Sequence, residues 1–213
     1  MKVLTVTTDR TPGDLAAELA NMRAVDDWPS VWSGPPQSGS GEFDRWCGRY
    51  GWEPLTFDRQ LQVRTTGGGR WTFYDRVGGQ WAPLVSLNHF AWQMSADTAA
   101  DNPAVFGTVD QTWPAYLKAA EGVLGAPTWT GPWDAADFPE PPHPGYWNDR
   151  EERVFNHEPY RFAYWAPVGD TPGLPYIVLD QTVTFGTWTS DTPGGSAISL
   201  EVHRPAEFLE TGP

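Results

Sequence analysis

The stretch Gln60-Leu61-Gln62-Val63-Arg64-Thr65-Thr66-Gly67-Gly68-Gly69-Arg70-Trp71-Thr72-Phe73-Tyr74-Asp75-Arg76 decides the fold class. Leu61 and Val63 share one side of an alternating run. Trp71, Phe73 and Asp75 share one side of the next, opposite Thr72 and Tyr74. A period of two is the pattern of a half-buried strand, and glycines between two such runs make a turn. A second glycine pair, Gly78-Gly79, precedes a third extended run from Gln80 to Asn88. Together these runs predict an antiparallel three-stranded meander. The same context argues against a phosphate cradle: Gly67-Gly68-Gly69-Arg70 opens a strand, and a cradle of that kind opens a helix.

Working outward, Lys2 to Thr8 alternates and reads as a short strand. Thr11-Pro12-Gly13-Asp14 is a helix start, with a capping hydroxyl, proline in the first turn and an acid at the positive end. Leu15, Leu19 and Met22 then form one apolar stripe, and the helix is expected to stop near Val25. Asp27 to Gly41 reads as loop. Ser40 is placed to cap a second helix, Glu42 to Tyr50, with Phe43, Trp46, Cys47 and Tyr50 on one face and Gly51 ending it. Ala91 to Gly107 follows neither period. From Asp110 to Leu124 the helical period returns through Trp113, Tyr116, Leu117, Ala120 and Val123, with Pro114 expected in the first turn and Gly125 at the end. Strands are predicted over 161–166, 176–185 and 197–203. Between the last helix and those strands, Pro127 to Pro159 is irregular and rich in Pro, Trp and acid. A loop of that length in a compact domain is functional or a linker. The expectation is therefore an α+β protein: antiparallel sheet with about three helices packed on one face, and a long Pro/Trp-rich loop in the second half. Its 213 residues suit one domain, or two lobes divided near residue 106.

Charge narrows the function. The net charge is −13, with 9 basic and 12 acidic residues over 1–106 but 5 basic and 15 acidic over 107–213. Such a chain repels nucleic-acid phosphates and anionic lipid heads, so neither is an expected partner. No run of 18 apolar residues is present, and Met1 to Asp9 is too short and polar for a secretory signal. Cys47 is the only cysteine and forms no intrachain disulfide. A cytoplasmic location follows as the expectation. Arginine outnumbers Lys2 and Lys118, and Ala, Gly and Pro are abundant, a bias of GC-rich bacterial genomes.

Catalytic signatures are missing: there is no Walker-type loop, no GxSxG elbow and no HExxH. His89, His143, His157 and His203 are far apart, with no metal-ligand spacing. No catalytic residue, metal or cofactor is assigned. Paired carboxylates, Asp26-Asp27, Asp134 with Asp137, and Glu151-Glu152, occur near Trp129, Trp133 and Trp147. They keep open a carbohydrate-binding or glycoside-acting protein, because such sites combine two carboxylates with indole platforms. A structural or phage-borne assembly component is a further alternative.

The most informative segment is Trp129 to Tyr160. Between Asp134 and Glu158 lie seven acids against Arg150 and Arg153, interleaved with Phe138, Tyr146, Trp147 and Phe155. Aromatic anchors ringed by charge are the composition of a protein-binding surface. The expected partner-binding residues are Trp133, Asp134, Asp137, Tyr146, Trp147, Asp149, Glu151 and Glu152, with Trp28 and Trp32 second. The competing reading turns these rings inward to anchor the loop.

Leu124-Gly125-Ala126-Pro127-Thr128-Trp129, followed by Arg161-Phe162-Ala163-Tyr164-Trp165 and Tyr176-Ile177-Val178-Leu179, resembles the small acidic immunity proteins of actinobacterial polymorphic toxin systems. The resemblance implies a cytoplasmic protein that binds one cognate toxin, a basic protein domain, and neutralises it. It transfers no site residues and leaves the oligomeric state open.

Overall fold

The glycine-linked runs do form a hairpin. In a computed structural model describing residues 4–8, 10–36, 40–56, 60–75, 82–169, 171–184 and 191–206, β3 (Leu61–Arg64) pairs antiparallel with β4 (Arg70–Asp75). Val63 stands opposite Trp71 and Leu61 opposite Phe73, so one apolar face is continuous across the pair. Antiparallel β5 (Leu84–Ala96) completes the meander, with Phe73 opposite Leu87. The expected turn at Gly78-Gly79 lies outside the described residues. Two further strands flank this group: β1 (Leu4–Thr8) pairs with the far end of β5, and β2 (Glu53–Thr56) pairs with β3. The later strands are β6 (Trp129–Pro132), β7 (Arg161–Trp165), β8 (Tyr176–Val183) and β9 (Gly195–His203). Pairing runs in the order β2-β3-β4-β5-β9-β8-β7-β6.

Among the described residues five α-helices accompany the strands, not about three: α1 (Pro12–Arg23), α2 (Trp28–Ser33), α3 (Gly41–Arg49), α4 (Asn102–Leu124) and α5 (Arg150–Asn156). The two unexpected helices, α2 and α5, are six and seven residues long. Each is less than two turns and shows no period to read, and each is started by an aspartate, Asp27 or Asp149, accepting from a backbone N–H. The starts of α1 and α3 and the end of α4 are those their sequences imply. Thr11 and Asp14 exchange hydrogen bonds at the start of α1, Ser40 accepts from the Phe43 amide, and Gly125 ends α4 at φ +84°. Pro114 is a correction. The helix begins at Asn102, with Pro103 in its first turn, so Pro114 lies in its interior and supplies no amide to the ladder there.

Backbone packing divides the chain into two compact units. One comprises Ala17–His89, Ala166–Ile177 and Glu201–Pro213. Its core holds Leu19, Met22, Val31, Trp32, Phe43, Leu61, Trp71 and Leu87. Trp46, Tyr50, Trp52 and Phe73 meet mostly edge to face, at centroid separations of 4.6–6.4 Å. The glycine turn has a second purpose here. The fully buried Glu18 carboxylate of α1 accepts from Thr65 Oγ1, from the Gly69 amide at 2.9 Å and from Trp71 Nε1 at 2.9 Å. A Cβ at Gly69 would lie 2.4 Å from the Glu18 Cδ, so only glycine leaves room for that approach. The Gly69 amide of this turn is thus aimed at a carboxylate, and that carboxylate is the chain's own.

The other unit comprises Met1–Ala16, Phe90–Trp165 and Val178–Leu200. Val105, Val109, Trp113, Tyr116 and Ala120 form the buried stripe of α4. Polar anchors fix it: Tyr116 donates to the Arg10 carbonyl at 2.6 Å, and Gln181 Nε2 to the Val109 carbonyl at 3.3 Å. At its start Asn102 bridges the Thr192 carbonyl and the Gly194 amide.

Candidate interaction surface

The segment from Trp129 to Tyr160 is held by its own aromatic rings. Phe138 and Phe162 meet at 5.1 Å between centroids, and Trp129, Trp147, Ala135 and Tyr164 pack against them and Val178. The indole N–H groups are consumed locally: Trp147 donates to the Pro139 carbonyl at 3.0 Å, and Trp129 to Asp137 Oδ2 at 3.2 Å. A proline-rich loop has few backbone hydrogen bonds to order it, and rings that each bury large areas supply the order instead. Tyr146 is buried here. Trp147 is half-buried, and so is Trp133, which stacks on the His157 imidazole at 4.3 Å. In the other unit Trp28 and Trp32 are buried and stacked on each other, with Trp32 Nε1 donating to the Gly173 carbonyl at 2.7 Å. Of the ten residues expected to meet a partner, Trp28, Trp32 and Tyr146 therefore face the interior, and Trp147 serves as a packing residue.

The carboxylates are placed otherwise. Asp134, Asp137, Asp149, Glu151 and Glu152 are all exposed, as is Glu140. Only one of the two arginines accompanies them. Arg153 is only 5% exposed, its guanidinium over the Phe138 ring at 4.1 Å and donating to the Trp133 carbonyl. Burial pulls that guanidinium below its ordinary pKa, against the opposing pull of nearby Glu140. Between Asp134 and Glu158 this leaves Arg150 as the one exposed arginine or lysine against six exposed carboxylates. Beyond the segment, Arg161 is paired with Asp110 at 3.1 Å.

Three arrangements were not read from the sequence. Val154 and Phe155 are exposed on α5, Phe155 at 85%. The Glu18 carboxylate is a structural latch with no signal in composition. In the same unit as that latch, Glu201 bridges Asn88 Nδ2 at 3.0 Å and His203 Nε2 at 2.9 Å, with His203 buried. Partial desolvation of the Tyr74 phenol, with Glu201 nearby, pushes it above its ordinary pKa although the side chain is 39% exposed. This row of side chains crosses strands, so no local spacing marks it. The Cys47 thiol is buried and pushed up to about 12 by desolvation and by Asp44, which leaves it un-ionised and unreactive at neutral pH. Among the described residues no group of three His, Cys, Asp or Glu side chains is arranged to hold a metal ion, and no helix is long and apolar enough to cross a membrane.

No protein-family model, no curated protein and no solved structure matches the chain.

Proposed function

We propose that this chain is a non-catalytic binding protein of the cytoplasm, an immunity protein that neutralises a cognate basic toxin domain by direct contact. The observation that carries the reading is the sorting of charge between Asp134 and Glu158: six carboxylates outside, one arginine drawn in beneath them. Burying an arginine costs free energy unless its charge is compensated. Here the outcome is a surface of nearly one sign. Such a surface speeds encounter with a basic partner and sets its orientation, and the shorter-range contacts then govern dissociation. Occupying a toxin's basic active face would block its substrate without any chemistry by this chain.

The test is protection. A basic domain encoded beside this gene is expressed alone and with the chain, and growth is followed. The expected result is arrest by the domain, rescue by the chain, and loss of rescue when Glu151→Lys and Glu152→Lys are combined. Both side chains are exposed, so the fold is expected to survive the change. Full rescue by that folded variant removes this surface from the interface, and absence of any rescue by the unaltered chain overturns the reading.

A further inference from the structure

The α5 helix is oriented against the ordinary rule of burial. Of its seven residues only Arg153 is buried, and its two apolar side chains, Val154 and Phe155, are 49% and 85% exposed. A helix this short, held by one inward side chain, is expected to turn its largest apolar group inward and its cation out. It does the reverse. Phe155 is the most exposed aromatic among the described residues, in a segment that at least half-buries Trp129, Trp133, Phe138, Tyr146 and Trp147. Local inversions of this kind collect at functional sites.

The surroundings state what fits there. Glu151 and Glu152 lie four and three residues before Phe155, on the same side of the helix, and Asp149 caps it. We infer that Phe155, with Val154 beside it, is the anchor that inserts into an apolar socket rimmed by Lys or Arg on a basic protein partner. This deepens the reading above and rests on it, while moving the anchor from the tryptophans to a phenylalanine. A second copy of the chain is the poorer occupant, because docking α5 on itself sets Asp149, Glu151 and Glu152 against their own charges.

Two short synthetic peptides serve as probes, one alternating Lys with Leu and one with the same Lys positions and Ser in place of Leu. Binding of each is measured by fluorescence anisotropy at low and high salt, for the unaltered protein, for Phe155→Ser, and for Glu151→Lys with Glu152→Lys. Circular dichroism confirms that each variant is folded. The expected result is tighter binding of the Lys/Leu peptide, about tenfold weaker with Phe155→Ser, and no change for the Lys/Ser peptide. The charge-reversed variant is expected to weaken both. If Phe155→Ser leaves the Lys/Leu affinity unchanged while charge reversal lowers it, the anchor is wrong and the acidic-surface reading stands. If charge reversal changes neither peptide, the acidic-surface reading falls and the anchor with it. Sedimentation adds the last arm: a dimer of the unaltered protein that dissociates in Phe155→Ser makes a second copy the occupant and overturns the proposal.

Discussion

Replacing Glu18 by glutamine tests how α1 is fastened to the β3–β4 hairpin, and the geometry sets the size of the effect. One carboxylate oxygen accepts from the Gly69 amide at 2.9 Å and the other from Trp71 Nε1 at 2.9 Å, while the Thr65 hydroxyl lies at 3.0 and 2.8 Å from the two. Each oxygen thus faces an N–H that can only donate. Glutamine keeps one acceptor and puts an amide N–H₂ in place of the other, so either orientation sets donor against donor. The loss is one hydrogen bond to a charged group, about 1.5–3 kcal/mol, together with a buried donor left without an acceptor, about 1–3 kcal/mol. With Glu18 fully buried, the expected destabilisation is roughly 3–5 kcal/mol, a large share of the ~5–15 kcal/mol typical of a folded protein. Urea unfolding followed by tryptophan fluorescence measures it as a lower midpoint at unchanged slope. Combining Glu18→Gln with Trp71→Phe removes one opposing donor, so the two losses should add to less than their sum. A loss below about 1 kcal/mol for Glu18→Gln, against the hydrogen-bond magnitudes used here, would show that the charge and its three donors are not what holds the helix.

Two further outcomes concern titratable groups, the half-buried Glu158 and the buried Cys47. Burial raises the Glu158 carboxyl above its ordinary value of 4.5, so its charged form is disfavoured in the folded state. Stability is then lost as pH rises from that ordinary value through the raised one. Glu158→Gln should be the more stable protein at neutral pH and lose that advantage in acid, as read from denaturation midpoints across the range; a constant difference at every pH would refute it. Cys47, buried with its thiol at about 12, should resist iodoacetamide in the native protein at mild alkaline pH and react once denaturant is added, as mass spectrometry would record. Rapid native labelling would mean that α3 opens far more readily than its packing implies.

Of the candidate site, the acidity of residues 134–158 was legible, because carboxylates stay in water wherever the backbone runs. The direction of the rings was not. Trp147 and Phe155 are both aromatic residues among acids, yet one is wedged against Phe162 at 5.1 Å and the other stands 85% exposed. The difference comes from Arg153, whose inward position on α5 turns its neighbours out, and nothing in local composition favours an inward arginine over an inward phenylalanine. The same limit explains β6 and α5, which occupy part of the stretch expected to be loop: four and seven residues are too few to display a period.

What the sequence determined by itself was everything governed by neighbours a few residues apart. The alternation of Leu61, Val63, Trp71 and Phe73, the glycine turn between them, the Thr11 and Ser40 helix starts and the stop at Gly125 are all such features. Tertiary structure alone decided the order of strands, the meeting of Glu18 with Trp71 across 53 residues, and which side chains of the acidic segment face water. Local preferences act through backbone dihedrals and side-chain period, and chain distance does not weaken them. Pairings between distant segments depend on which of many similar apolar surfaces pack together best, and that choice is made only when the whole chain is folded.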